Sequence, residues 1–489
     1  MPFVSPLRFR REAMVSPDEA ARIHELAKRI LAEIGMEVRD AAALERLRGA
    51  GFRTRGDRVC FEPQTVDALV DEQRRWIVAN TSARRRRAAS ALNHDDDGRL
   101  TLSISSYSMY VHDLDSDRVV PYTTERLIEM CKLVDTFADD GVFGAPPGIP
   151  MDEPPDLHPI AQYRIAALYA RQGASPVDPT SAKTVHYLLD MAEVMGRPIR
   201  SLPVYIPTPL RFGGESLEVV LACAHRLERI SISSMPATGG TAPLQPFGAL
   251  ALAAAEVIGG AIIVHLLTGK PTTFGASIYP FDLRTGAMVF GSPENLLYQM
   301  MCADFNRFYG WEDHGAPGNT HVMSKLPDCQ SAADKAAIMA VGAFLGARHF
   351  GAVGTLSLDE IFSPAQLVLD CEIRDWVQRA IQGMWLGEEA VDDWLGELRA
   401  GLDRGFMGLD STLDYYRPQE SGSARHVWYP RLFERGAVGG WLSAGQPHLA
   451  ERLRAEVRRR LAAYEFELDA ARRAEIERLY QAARRAVIG

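Results

Sequence analysis

Residues 231–309 read SISSMPATGGTAPLQPFGALALAAAEVIGGAIIVHLLTGKPTTFGASIYPFDLRTGAMVFGSPENLLYQMMCADFNRFY. A β-favouring run, with Ile230 and Ile232, ends in a small-residue loop at 233–243. The apolar stretch at 246–267 has the length of a helix. A second strand at 272–276 leads into a loop carrying Tyr279, Asp282 and Arg284. Ser292-Pro293-Glu294 then opens another helix, because serine caps an N-terminus and proline suits the first turn. Strand, loop and helix in that order are the unit of parallel α/β proteins, in which ligands bind where strands end and loops begin.

Working outward, the same alternation predicts strands at 141–145, 175–178, 201–206, 230–234, 272–276, 315–321 and 349–355, with an eighth at 406–410. Helices are predicted between them at 158–171, 181–195, 215–227 and 332–345. Eight such units take about 250 residues. The expected fold is therefore α/β, a (β/α)8 (TIM) barrel over 141–415. Residues 1–99 form an N-terminal helical region. It opens on the capping box Ser16 to Glu19, carries the stripe Ile23, Leu26, Ile30 and Leu31, and closes with a polar loop at 80–99. Residues 100–140 hold a hairpin over the barrel mouth, 100–111 pairing with 119–122, and a linking helix. Residues 416–489 are a helical extension whose charged tail helix either packs on the barrel or makes an oligomer contact.

Apolar content of 47% and charged content of 24% are ordinary for a globular protein, and the net charge of −9 argues against a general nucleic-acid binder. The basic run at 84–87 reads as a solvated surface segment. The most apolar segment contains Glu256 and reads as a buried barrel helix, so no membrane span is expected. The N-terminal residues show no signal-peptide core. Six cysteines at 60, 131, 223, 302, 329 and 371 form no CxxC pair, and the twelve histidines add no tight ligand spacing. Neither a disulfide framework nor a zinc site is expected, and a reducing cytoplasm fits.

The runs GGTAPLQPFGALALAAAEVIGG (239–260) and DLRTGAMVFGSPE (282–294) resemble the trimethylamine methyltransferase (MttB-type) family. So do SPDEAARIHELAKRILAEIGMEV (16–38), SKLPDCQSAADKA (324–336) and YPRLFERGAVGGW (429–441). The resemblance implies the barrel fold and transfer of a methyl group from a methylated amine to the Co(I) of a corrinoid (cobalamin) borne by a separate carrier protein. It also implies a homo-oligomer. Members that use trimethylamine carry pyrrolysine. This sequence has only standard residues, and the corresponding position falls near 351–356. The implied donor is thus a quaternary amine such as a betaine. A quaternary ammonium leaves as a neutral amine and needs no proton, so the protein's task is positioning.

A permanent cation is held by aromatic faces and a nearby carboxylate. Tyr205 and Tyr279 follow strands directly, and Tyr107, Tyr110, Phe143, Phe281 and Phe350 lie near loop ends. Each belongs either to a cage or to core and lid packing. Asp282 serves as countercharge and catalytic acid or caps its loop against Arg284. Asn319 and His321 sit at the expected rim, where His321 meets substrate or corrinoid or is simply hydrogen-bonded structure. Gly239, Gly240 and Thr241 either offer backbone N–H groups to the corrinoid or make a tight connection. Glu256, mid-helix, reads as a buried structural carboxylate.

One departure concerns FMGLDSTLDYY (406–416). Many members place histidines before its threonine, whereas this chain has Leu409, Asp410 and Ser411. A reshaped late barrel rim leaves two alternatives open. One is a sulfonium or methoxy donor. The other is a catalytically silent barrel that binds a methylated amine or a partner protein.

Overall fold

The computed structural model describes residues 7–92, 99–175, 177–311, 317–384, 391–416 and 427–488. The capping box forms as expected: Ser16 Oγ accepts from the Glu19 N–H, and the Glu19 carboxylate accepts from the Ser16 N–H at 2.8 Å. The helix Pro17–Arg29 ends through a π turn at Gly35, whose φ is +74°. A side chain there would press on the Val59 carbonyl, so glycine is required. The helix Pro63–Leu92 runs on through the segment expected to be loop. The side chains of the basic run 84–87 lie outside the described residues.

Parallel strands and helices then alternate along the chain. Ser201–Ile206, Arg229–Ser234 and Thr272–Phe274 form one parallel arc. Val142–Phe143, Thr101–Ile104 and His349–Val353 form another. Ser175 N–H donates to the Ala145 carbonyl and extends the second arc at one end. The Asn319–Gly351 bridge extends it at the other. The expected strand at 175–178 is present as this single link, and Pro176 lies outside the described residues, as do 315 and 316 of the strand expected at 315–321.

Two assignments change. Thr101–Ile104 is not part of the hairpin but a parallel strand, so the alternation begins at 101 rather than 141. The eighth strand expected at 406–410 does not form. Phe406–Gly408 is a 3-10 turn and Asp410–Tyr416 a helix, because Phe406 folds back onto Gly401 of the helix Val391–Arg404 and its carbonyl accepts from Thr412 Oγ1. The late segment therefore adds no strand to either arc. The hairpin itself is Tyr110–Asp113 against Arg118–Pro121, so the stretch expected at 100–111 enters it only by its last residues.

Helix Pro246–Thr268 is long and apolar enough to cross a membrane by length and composition, yet it is mostly buried under the strands. Its Gly260 lies so close to Ile206 and Ile232 that a Cβ would overlap them. The tail helix Ala470–Ile488 packs on the helices His158–Tyr169 and Val185–Val194, with Arg164 bridging to Glu477 at 2.6 Å.

A fully buried ion pair fixes the end of His349–Val353. Lys335 Nζ donates to Asp370 Oδ2 at 2.9 Å and to the Ala352 carbonyl at 3.1 Å. Asp370 also accepts from the Gly354 N–H at 2.7 Å and from Gln366 at 2.7 Å. The pair holds the chain where Ala352 and Gly354 both take left-handed backbone angles, +65° and +74°. Burial lowers the Lys335 pKa, with Asp370 opposing it. Removing one charge strands the other, so Lys335→Met should cost about 3–5 kcal/mol, read as a lowered melting temperature. The double variant Lys335→Met/Asp370→Leu should recover part of that loss. A double variant no more stable than the single one would contradict this account.

Candidate active site at the strand ends

Three side chains from three different strand ends meet at one carboxylate. Tyr107 lies three residues past Thr101–Ile104, Tyr205 near the end of Ser201–Ile206, and Asp178 past the link at Ser175. Both phenols donate to Asp178 Oδ2 at 2.5 Å, and their oxygens stand 3.4 Å apart. Burial, reinforced by the Asp178 charge, pushes both phenol pKa values far up, so both stay protonated donors. Tyr107 and Tyr205 remain 47% and 40% exposed, which leaves ring surface open to a ligand.

A second row runs from Tyr279 through Phe290 to His321, with ring centroids 5.5 and 5.6 Å apart. Burial pushes the Tyr279 phenol up to about 12. Asn319 Oδ1 accepts from the His321 backbone N–H at 3.1 Å and faces Nδ1 of the ring. That assigns the ring hydrogen to Nδ1 and leaves the Nε2 lone pair, 4.0 Å from Asp359. Burial lowers the His321 pKa to about 3, helped by the charge of Lys335, and the imidazole is neutral. Asp359 follows Ser357 and Leu358, which both adopt left-handed angles of +51° and +68°. They are held there by N–H donation to the carbonyls of Ser324 and Val322. Tyr279 and Asn319 also line a cavity of about 400 Å³, with Ser277, Asn295, Gln299 and Asn306.

The remaining expected residues stand elsewhere. Phe350 is fully buried and its ring faces Gly342 of the helix Cys329–Phe344, so it is core. Phe281 covers Gly240. Asp282 caps its turn, accepting from the Arg284 N–H at 2.9 Å and pairing with that exposed guanidinium. Hydrogen bonds from Arg284 hold the Asp282 carboxyl below its usual range. The N–H groups of Gly240 and Thr241 donate to the Ala237 carbonyl, and that of Gly239 to Ala242. Thr241 Oγ1 accepts from the Ala237 N–H. These three residues therefore make a tight connection with no free backbone donors for a cofactor. Tyr110 lies in the hairpin. Glu256 is buried and accepts from the Leu210 N–H at 2.9 Å, a structural role.

Asp178, Asp359 and Phe290 were not singled out from sequence. The two acids share a signal that could have found them, since each lies just past a strand end. Among the described residues, no three His, Cys, Asp or Glu side chains converge as a metal site.

Residues 5–489 match the family model described as trimethylamine methyltransferase (MTTB). The chain belongs to the trimethylamine methyltransferase family. Trimethylamine methyltransferase MttB of Methanosarcina barkeri is 30% identical over 271 residues, 54% of this chain and 52% of that protein. MttB of Desulfitobacterium hafniense is 27% identical over 260 residues, 52% of this chain and 50% of that protein. The chain thus spans about half the length of these curated relatives. Glycine betaine methyltransferase of Desulfitobacterium hafniense is 24% identical over 447 residues, 88% of each chain. A crystal structure of the Methanosarcina barkeri monomethylamine methyltransferase MtmB covers 93% of this chain and 94% of its own. It does so at 11% identity and a TM-score of 0.37, too loose a superposition to carry a structural argument.

Burial raises the Asp359 pKa to about 6, with Glu360 adding to the shift. A carboxyl with a raised folded pKa stabilises the fold below its unfolded value and loses that contribution as pH rises through about 6. Asp359→Asn should therefore raise the melting temperature more at pH 7.5 than at pH 4. Equal shifts at the two pH values would refute the buried-acid assignment.

Proposed function

We propose that the chain is a methyltransferase that takes a methyl group from a quaternary, betaine-like amine. The acceptor is the corrinoid of a separate carrier protein, whose Co(I) supplies the nucleophile when bound. The two parallel arcs belong, in this proposal, to one (β/α)8 barrel of eight strand-and-helix units over residues 101–381. Residues up to 99 form a helical lead-in, and those past 381 an arm and helical extension. Six free thiols suit a reducing cytoplasm.

The observation that carries the proposal is the Tyr107–Asp178–Tyr205 cluster. Two protonated phenols orient one carboxylate and keep their rings open beside it. A carboxylate balances a permanent positive charge, and each aromatic face adds roughly 0.5–2 kcal/mol through cation–π attraction. The cage has no need to deliver a proton, because the departing amine is neutral. Tyr279 and the neutral His321 close the second side, holding the donor in one orientation. Exposed apolar side chains on the neighbouring loops, Met235, Leu244 and Leu283, suit docking of a carrier protein over the mouth. The similarity to a glycine betaine methyltransferase across most of both chains supports the donor class.

The test mixes the protein with Co(I) cobalamin, then with candidate carrier proteins. The donor panel holds betaines, carnitine, choline, trimethylamine and dimethylsulfonium compounds. Loss of Co(I) absorbance with one quaternary amine, and not with trimethylamine, is the expected result. Transfer from trimethylamine alone overturns the donor assignment, and transfer only from a sulfonium redirects it. Binding without transfer identifies a silent barrel. Asp178→Asn should raise KM for the quaternary donor at least tenfold, about 1.4 kcal/mol, with the fold intact.

A further inference from the structure

Three side-chain amides stand in one row on the helix Pro293–Arg307. Asn295, Gln299 and Asn306 recur at helical spacing, and all three line the cavity of about 400 Å³ that Tyr279 and Asn319 share. Two of them are engaged with the backbone. Asn306 meets the Ala276 peptide at two points, accepting from its N–H at 2.8 Å and donating to its carbonyl at 2.8 Å. Gln299 does the same to Asn319, accepting from its N–H at 3.2 Å and donating to its carbonyl at 3.3 Å.

The third amide is left over. Pairing with Asn319 fixes which end of Gln299 is the oxygen, so Nε2 is the atom that also donates to Asn295 Oδ1 at 3.1 Å. Asn295 is oriented by that bond in turn. Its Nδ2 meets no acceptor among the described residues, and Oδ1 keeps a second lone pair. Yet the residue is only 3% exposed. A buried amide without a partner costs free energy until a ligand or a water meets it.

The cavity is also uncharged. None of the described residues lining it is acidic, basic or a histidine. Burial raises the Cys302 thiol to about 12, as it does the Tyr279 phenol, so both stay protonated at neutral pH. An ion finds no countercharge there, and an apolar group would leave Asn295 unmet. A carboxamide satisfies both constraints. Its carbonyl accepts from Asn295 Nδ2 while its NH2 donates to Oδ1, the two-point pairing that Asn306 and Gln299 already make with peptide groups.

We propose that Asn295 and the cavity it lines are a binding site for a neutral carboxamide. Two sources share that chemistry: a carboxamide side arm of a corrinoid, or a small free amide. The first rests on the methyl-transfer reading above, in which a corrinoid meets this chain; the second does not.

The full chain is titrated calorimetrically with dicyanocobinamide, whose side arms are carboxamides, with cobyrinic acid, whose arms are carboxylates, and with propionamide. No methyl donor is present, so failure of methyl transfer would leave the result standing. Asn295→Leu removes the free donor while Gln299 keeps both bonds to Asn319. Asn295→Asp, measured at pH 8 with the carboxylate ionised, keeps the acceptor for Gln299 and removes the donor. Melting temperature checks each fold, and either variant suffices for the test. Dicyanocobinamide should bind the unaltered chain at least tenfold more tightly than cobyrinic acid does, and at least tenfold more tightly than it binds either variant. Propionamide should compete with it. Propionamide binding lost in the variants, with dicyanocobinamide unaffected, supports the site and assigns it to a free amide. Both amides binding the unaltered chain and the variants alike, or neither binding the unaltered chain, overturns the proposal and leaves the cavity to water. Tighter binding of cobyrinic acid than of dicyanocobinamide overturns the carboxamide class.

Discussion

Thr101–Ile104 pairs in parallel with His349–Val353, and the site depends on that pairing. The hydrogen bond between Thr101 and His349 spans 248 residues of sequence. It brings the first strand to the last, so the turn after the first strand drops Tyr107 beside Asp178 and Tyr205. Closing so long a loop has a large entropic cost, and no local preference repays it. The repayment comes from the helices wrapped outside the strands, above all the almost wholly buried Pro246–Thr268 and Pro364–Ile381.

The Lys335–Asp370 pair shows how the end of that last strand is kept in place. A fully buried ion pair is seldom a net source of stability. Here it also satisfies the Ala352 carbonyl and the Gly354 N–H in a left-handed stretch that could not pair as regular sheet. The Gly351 carbonyl next to it accepts from Thr320, and Thr320 lies between Asn319 and His321. A buried charge on one helix is thus linked through His349–Val353 to the adjoining 319–321 segment, and it helps keep His321 neutral.

Much of the candidate site was legible because functional residues in parallel α/β proteins collect at strand ends. Tyr205, Asn319 and His321 lie near the ends of predicted strands, Tyr279 follows one, and Tyr107 follows a recognisable alternation. Asp178 and Asp359 escaped, because an acid in a loop has many ordinary uses and only its neighbours reveal which applies. Phe350 was misplaced for a different reason. Parallel strands covered by helices are buried on both faces, so hydropathy does not say which residues face the site and which face a helix. Asp282 went to its turn, since a neighbouring arginine on the same hairpin satisfies it more readily than a distant ligand.

What the sequence by itself determined is local. Ser16 with Glu19 starts a helix, Asp113 to Asp117 turns a hairpin, and an apolar run of over 20 residues with small side chains makes a buried helix. Each rests on contacts within a few residues. Tertiary structure alone decided which strand is first and which residues share the mouth. Leu100–Ile104 alternates equally well for a hairpin or a barrel strand, and only its partner far along the chain distinguishes them. Two tyrosines and an aspartate from separate strand ends come together through the curvature of a sheet, which no stretch of sequence contains.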